Sequence, residues 1–233
     1  MKKLIITILF VFSVIFGQNP DPKEILKKTE DRFLEVKDYS ADVKIKLDLA
    51  FLKMSDSQAK VYFKAPDKFK IDSKGFAMLP KEGINYNPAK FMKGDFTAIF
   101  IKEDKYEDNS CYIVKIIPNS DTVDVVVTTL YIDKGNYFIR HIESTTKQGG
   151  NIKIFLTYDK NRKLPLPDKV RFSFNIDGDK NKKEIKDPDK NVRKQMNAQN
   201  ISGDVYIYYS NYKINKGLND NLFVKEKKDS KKS

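Results

Sequence analysis

The side chains suited to nucleophilic, acid–base or metal chemistry are few in this sequence and poorly placed for it. One histidine, His141, and one cysteine, Cys111, occur in 233 residues. His141 stands among Phe138, Ile139 and Ile142, an apolar strand setting in which an imidazole packs rather than shuttles protons. Cys111 opens the apolar run Tyr112–Ile117 with no basic partner in sequence reach, which describes a small buried side chain rather than an activated thiolate. Neither a G-x-S-x-G elbow nor an H-E-x-x-H pair is present. Asp177-Gly178-Asp179-Lys180-Asn181 begins like a calcium loop. However, Lys182 replaces the obligatory glycine, and Pro188 stands where the bidentate glutamate belongs. Carboxylates crowd the turns, but nothing selects a catalytic pair. The expectation is a non-enzyme with no catalytic residue, no metal and no cofactor.

The chain ends say more. Met1-Lys2-Lys3 is a short basic stretch, Leu4 to Phe16 is uncharged and apolar, and Gly17 precedes the polar Gln18-Asn19-Pro20-Asp21. That is the order of a secretory signal peptide, expected over residues 1–17 with cleavage near Gly17. A membrane anchor needs about 20 apolar residues, and this run is shorter. No cysteine follows it, so no N-terminal lipid anchor is expected. Residues 18–224 are read as one domain that works outside the cytoplasm. Residues 225–233 form a basic tail with almost nothing to bury.

The formal charge is +12. In a cytosolic chain this would raise nucleic acid as a partner. The export signal and the scatter of lysines through strands and turns argue against it. The charge reads as solubility, with attraction to anionic headgroups. A single cysteine permits no internal disulfide, so the core must carry stability. A monomer is expected.

These features need elements to hold them. Asp21, Pro22 and Glu24 are an N-cap, an N1 proline and a capping-box acid, and Ile25, Leu26, Thr29, Phe33 and Val36 share one helical face. A helix is predicted over 22–37. Beyond Tyr39 nearly every run alternates with period two. Val43, Ile45, Leu47, Leu49 and Phe51 set the pattern, followed by Ile152, Ile154, Leu156 and Tyr158, then Val170, Phe172, Phe174 and Ile176. Further strands are expected at Ala59–Phe63, Lys68–Asp72, Phe96–Ile101, Tyr112–Ile117, Val123–Ile132, Tyr137–Thr145 and Val205–Tyr212. Asn87-Pro88 through Gly94 reads as a short helix, and 177–200 as a polar surface loop. Strand following strand without helical crossovers implies an antiparallel sheet.

Nine or ten strands with one apolar face each must bury that face. Two helices are too few to cover it flat. The sheet either closes on a filled core or stays partly open around an apolar pocket.

Several short motifs, taken in order, carry a family resemblance. They are the signal-then-helix-then-strand opening, Val61-Tyr62-Phe63-Lys64-Ala65-Pro66-Asp67-Lys68-Phe69-Lys70-Ile71 and Ile84-Asn85-Tyr86-Asn87-Pro88. Tyr158-Asp159, Leu164-Pro165-Leu166-Pro167-Asp168-Lys169-Val170 and Asn215-Lys216-Gly217-Leu218-Asn219-Asp220-Asn221-Leu222-Phe223 complete the set. The chain resembles the LolA-like outer-membrane lipoprotein carriers and the related lipoprotein-sorting proteins. The resemblance implies a mainly β (α+β) fold, an incomplete antiparallel barrel with helices as a lid over an acyl-chain cavity. It implies a periplasmic carrier of lipoprotein acyl chains or other lipid, with an inner-membrane transporter and an outer-membrane acceptor as partners. The alternatives are a lipid- or lipoprotein-sensing regulator on the same scaffold and a structural β-domain with a filled core. The family's turn arginine, tied to lid closure, is Ala65 here. Candidate lining residues are Val43, Ile45, Leu47, Leu49, Phe63, Phe69, Ile71, Ile154, Leu156, Phe172 and Phe174. Lid candidates are Ile25, Leu26, Phe33, Phe91 and Met92.

Overall fold

The computed structural model describes residues 19–49, 56–73, 94–122, 124–147, 150–176 and 201–224. The expected signal peptide, the short helix around Phe91 and Met92, the 177–200 loop and the basic tail lie outside them, apart from Gly94 at the end of that helix.

The chain enters the described structure through α1, Pro22–Leu34, which the Asp21 carboxylate caps by accepting from the Lys23 amide at 2.9 Å. Glu24 does not complete a capping box; it turns along the helix to Lys28 at 2.7 Å. The helix ends three residues short of the predicted 37. The Lys37 amide is taken by the Asn215 side chain at 2.8 Å, and the strand register begins at Asp38. Val36 still reaches the core, fully buried.

Ten strands follow: β1 Asp38–Leu49, β2 Ser57–Lys64, β3 Lys68–Asp72, β4 Phe96–Tyr106, β5 Asn109–Pro118, β6 Val125–Asp133, β7 Ile139–Thr146, β8 Asn151–Thr157, β9 Lys169–Ile176 and β10 Ile201–Ile214. A 3₁₀ turn at Asp220–Phe223 completes the described chain. The strands form one sheet in the order β3-β2-β1-β10-β9-β8-β7-β6-β5-β4, and every pairing is antiparallel. Among the described residues the sheet does not close, and β3 and β4 are its edges. Bulges interrupt the register on β10 opposite Ala41, at Ile101 in β4, at Val126 in β6 and at Arg140 in β7. A bulge adds a residue to one strand and bends it, which curls a broad sheet.

β4 runs five residues past the predicted end at Ile101. The bulge there keeps pairing with β5 alive through the charged Lys102–Lys105, and Tyr106 then anchors the strand on Tyr131 and His141. β10 is likewise longer than predicted at both ends, because β1 and β9 supply partners along its length.

α1 packs its apolar stripe on the inner face of the sheet. Ile25, Leu26 and Phe33 join Tyr39, Phe63, Ile45 and Ile207 in one core, with the Phe33 and Phe63 rings 5.7 Å apart and Tyr39 and Phe63 stacked at 5.4 Å. No helix among the described residues is long and apolar enough to cross a membrane.

Candidate functional site

Antiparallel pairing puts directly opposed residues on the same face, so the register assembles inner-face rows that run across the strands. A first row contains Ile45, Ile207, Val170 and Leu156, all buried. Two residues further along each strand comes a second row, Leu47, Val205, Phe172, Ile154, Ile142, Leu130, Val114 and Phe100. Every member is apolar. A third row follows: Leu49, Gly203, Phe174, Ile152, Ser144, Thr128, Ile116 and Ala98.

Burial falls from the first row to the third on one side of the sheet. Leu47, Phe172, Ile154, Phe174 and Ile152 are only half-buried; the last four are contiguous across β9 and β8, and buried Val205 of β10 separates them from Leu47. The Phe172 and Phe174 rings lie 5.9 Å apart. Phe96, Ala98 and Phe100 make a second half-buried group on β4. Between α1 and the start of β4 opens a cleft of about 440 Å³, lined by Lys23, Leu26, Lys27, Glu30, Gly94, Asp95 and Phe96.

The sequence-derived candidates therefore divide. Ile154, Phe172 and Phe174 share the half-buried patch, and half-buried Leu47 lies in the same row on β1, across buried Val205 of β10. Val43, Ile45, Phe63 and Leu156 are buried in the core with the lid candidates Ile25, Leu26 and Phe33. Phe69 and Ile71 sit partly buried on the flanking edge strand β3, opposite Phe63 and Val61. Leu49 holds its place in the backbone register of the third row; Phe91 and Met92 fall outside the described residues. Sequence reasoning missed Phe100, Ala98, Val114, Leu130 and the pair Ser144–Thr128. The runs Phe96–Ile101 and Cys111–Ile117 are apolar on both faces, so alternation does not say which residues face inward. Register alone does.

Two clamps hold α1 on this face. Arg32 donates from Nη2 to the Lys163 carbonyl at 2.6 Å and from Nε to the Asn136 carbonyl at 3.3 Å, and its guanidinium lies 5.6 Å from the Phe138 ring. Asn215 accepts from the Lys37 amide at 2.8 Å and donates to the Glu35 carbonyl at 3.0 Å. The cationic tether is thus on the helix itself, at Arg32.

The outer face of the same strands is built differently. Arg171 lies over Phe155 at 3.8 Å, Phe155 stacks on His141 at 4.3 Å, and His141 meets Tyr106 at 5.3 Å. The imidazole is buried, its Nδ1 3.0 Å from the Ile154 carbonyl and its Nε2 3.0 Å from Glu143. The hydrogen bond from His141 holds the Glu143 carboxyl below its ordinary range. Burial pushes the Cys111 thiol up to about 11. Among the described residues, no three His, Cys, Asp or Glu side chains converge in a way that would hold a metal ion.

No model of a known protein family matches the chain, and no curated protein matches it. Solved structures do. A domain described as an outer membrane lipoprotein-sorting protein, from Vibrio parahaemolyticus, superposes with a TM-score of 0.59 at 11% identity, over 87% of this chain and 97% of that one. A DUF1329 family protein from Desulfovibrio piger gives 0.58 at 14% identity over 88% and 98%. A LolA superfamily protein from Nitrosomonas europaea gives 0.52 at 12% identity over 88% and 98%. The fold is LolA-like: a mainly β, unclosed antiparallel sheet with its helix laid across the inner face.

Proposed function

We propose that this protein is a periplasmic carrier that takes the acyl chains of lipoproteins, or of other lipids, onto the inner face of its sheet and moves them toward the outer membrane. The observation that carries the reading is the half-buried patch of Phe172, Phe174, Ile154 and Ile152, aligned in register on the same inner face that α1 packs against. An apolar surface of this kind is unfinished as a core and well suited to hydrocarbon. Each methylene shielded from water is worth about 0.8 kcal/mol, so covering six of them gives about 5 kcal/mol before ordering costs. The structural likeness to a lipoprotein-sorting domain supports the same reading. The protein acts without catalytic residues or cofactor, as a monomer, and does not bind nucleic acid. It receives cargo from an inner-membrane transporter and yields it to an outer-membrane acceptor that holds the tails more tightly.

Native mass spectrometry of protein purified from its own envelope tests this. Co-purifying lipid or lipoprotein is expected, and lost in a Phe172→Asp variant that keeps its fold. A reproducibly empty protein that also fails to take up added lysolipid overturns the reading. Depletion in the cell then separates carrier from sensor, since loss of a carrier mislocalises lipoproteins broadly.

A further inference from the structure

Ser144 and Thr128 are the polar side chains of the third inner-face row. They oppose each other on β7 and β6, with their hydroxyls 2.9 Å apart. Thr128 is 4% exposed and Ser144 7%. Their neighbours along the row are Ile152 on one side and Ile116 on the other, so the pair sits in the middle of an apolar floor.

Two hydroxyls carry two hydrogens and four lone pairs. The bond between them uses one hydrogen, and among the described residues no acceptor takes the second. A buried donor without a partner costs free energy, whereas replacing both groups with apolar ones of the same shape is nearly neutral or stabilising. The pair therefore adds little to the fold that valine and alanine would not.

Resting on the acyl-binding reading above, we infer that the Ser144–Thr128 pair is a carbonyl subsite. The spare O–H donates to the ester carbonyl of an acyl chain lying along the floor, while the chain itself runs over the half-buried Ile152 and Phe174. The ligand class this selects is the O-acyl ester rather than the bare hydrocarbon or the alkyl ether.

The test compares two lysophosphatidylcholines of equal chain length, one an acyl ester and one an alkyl ether, in competition with a fluorescent apolar probe. The wild-type protein is expected to bind the ester about fivefold more tightly, the ratio that one ordinary net hydrogen bond supplies. In the Thr128→Val/Ser144→Ala variant, ester affinity falls to that of the ether while ether affinity and the thermal midpoint hold. The wild-type ratio is read without any variant, so a misfolded double variant does not remove the test. Equal wild-type affinity for the two lipids, or a variant that still discriminates, overturns the carbonyl subsite and leaves acyl binding standing. Failure of the wild-type protein to bind either lipid overturns both.

Discussion

Phe63 is wedged between Phe33 of the helix and Tyr39 of the neighbouring strand, with 1% of its surface exposed. Removing it leaves a cavity at the joint between helix and sheet. Phe63→Ala should cost about 3–5 kcal/mol in urea unfolding. Burial also ties stability to pH. Burial pushes the phenols of Tyr39, Tyr209 and Tyr212 well above their ordinary value, and the Cys111 thiol rises from 9.0 to about 11. Each is held neutral in the folded state, so its contribution is complete below the unfolded pKa and is lost as pH climbs through the folded one. Denaturation midpoints should hold steady to about pH 9 and fall beyond it as the thiol and then the phenols titrate. Tyrosinate absorbance from the buried phenols should appear together with unfolding. Ordinary alkaline titration of all tyrosines in the native state would contradict this. Alternation exposed Phe172, Phe174 and Ile154 as inward-facing residues. It could not expose Ser144 or Thr128, because a hydroxyl residue reads as solvent-facing until the register places it.

The amphipathic helix is where sequence legibility was best. Its cap, its N1 proline and its apolar stripe are local signals, and each has its structural counterpart. Its end was not legible, because what stops it is Asn215, a residue almost the whole chain away. Asn215 has a φ of +54°, a conformation that asparagine tolerates, and it holds both Lys37 and Glu35. Asp21→Ala should lower stability by about 1 kcal/mol, the usual worth of an N-cap, as read by the thermal midpoint. Arg32→Ala removes contacts to the loops at Asn136 and Lys163 and the guanidinium over the Phe138 ring, while leaving the apolar core side chains in place. It should accelerate amide exchange in the helix and speed both uptake and release of lysolipid, with little change in the global melt. An unchanged exchange pattern would show that packing alone keeps the helix seated.

At the scale of the molecule, an unclosed sheet has two edges to protect. β3 is short, which limits what can pair with it. β4 is long and carries exposed Ile99 and Ile101, but a bulge and the run Lys102-Glu103-Asp104-Lys105 interrupt its outer edge. Replacing those four charges with threonine should produce concentration-dependent self-association beyond that of the parent chain in analytical ultracentrifugation. The strand order has a further consequence, in time rather than space. Ile45 of the first strand finds Ile207 of the last, and that pairing joins the two halves of the sheet. A ribosome that has delivered everything up to β9 has made a hairpin arm and a meander with no seam between them. Contacts so distant in sequence form slowly. The joining of the two halves thus waits for β10, and it should be the slow step when the unfolded chain refolds.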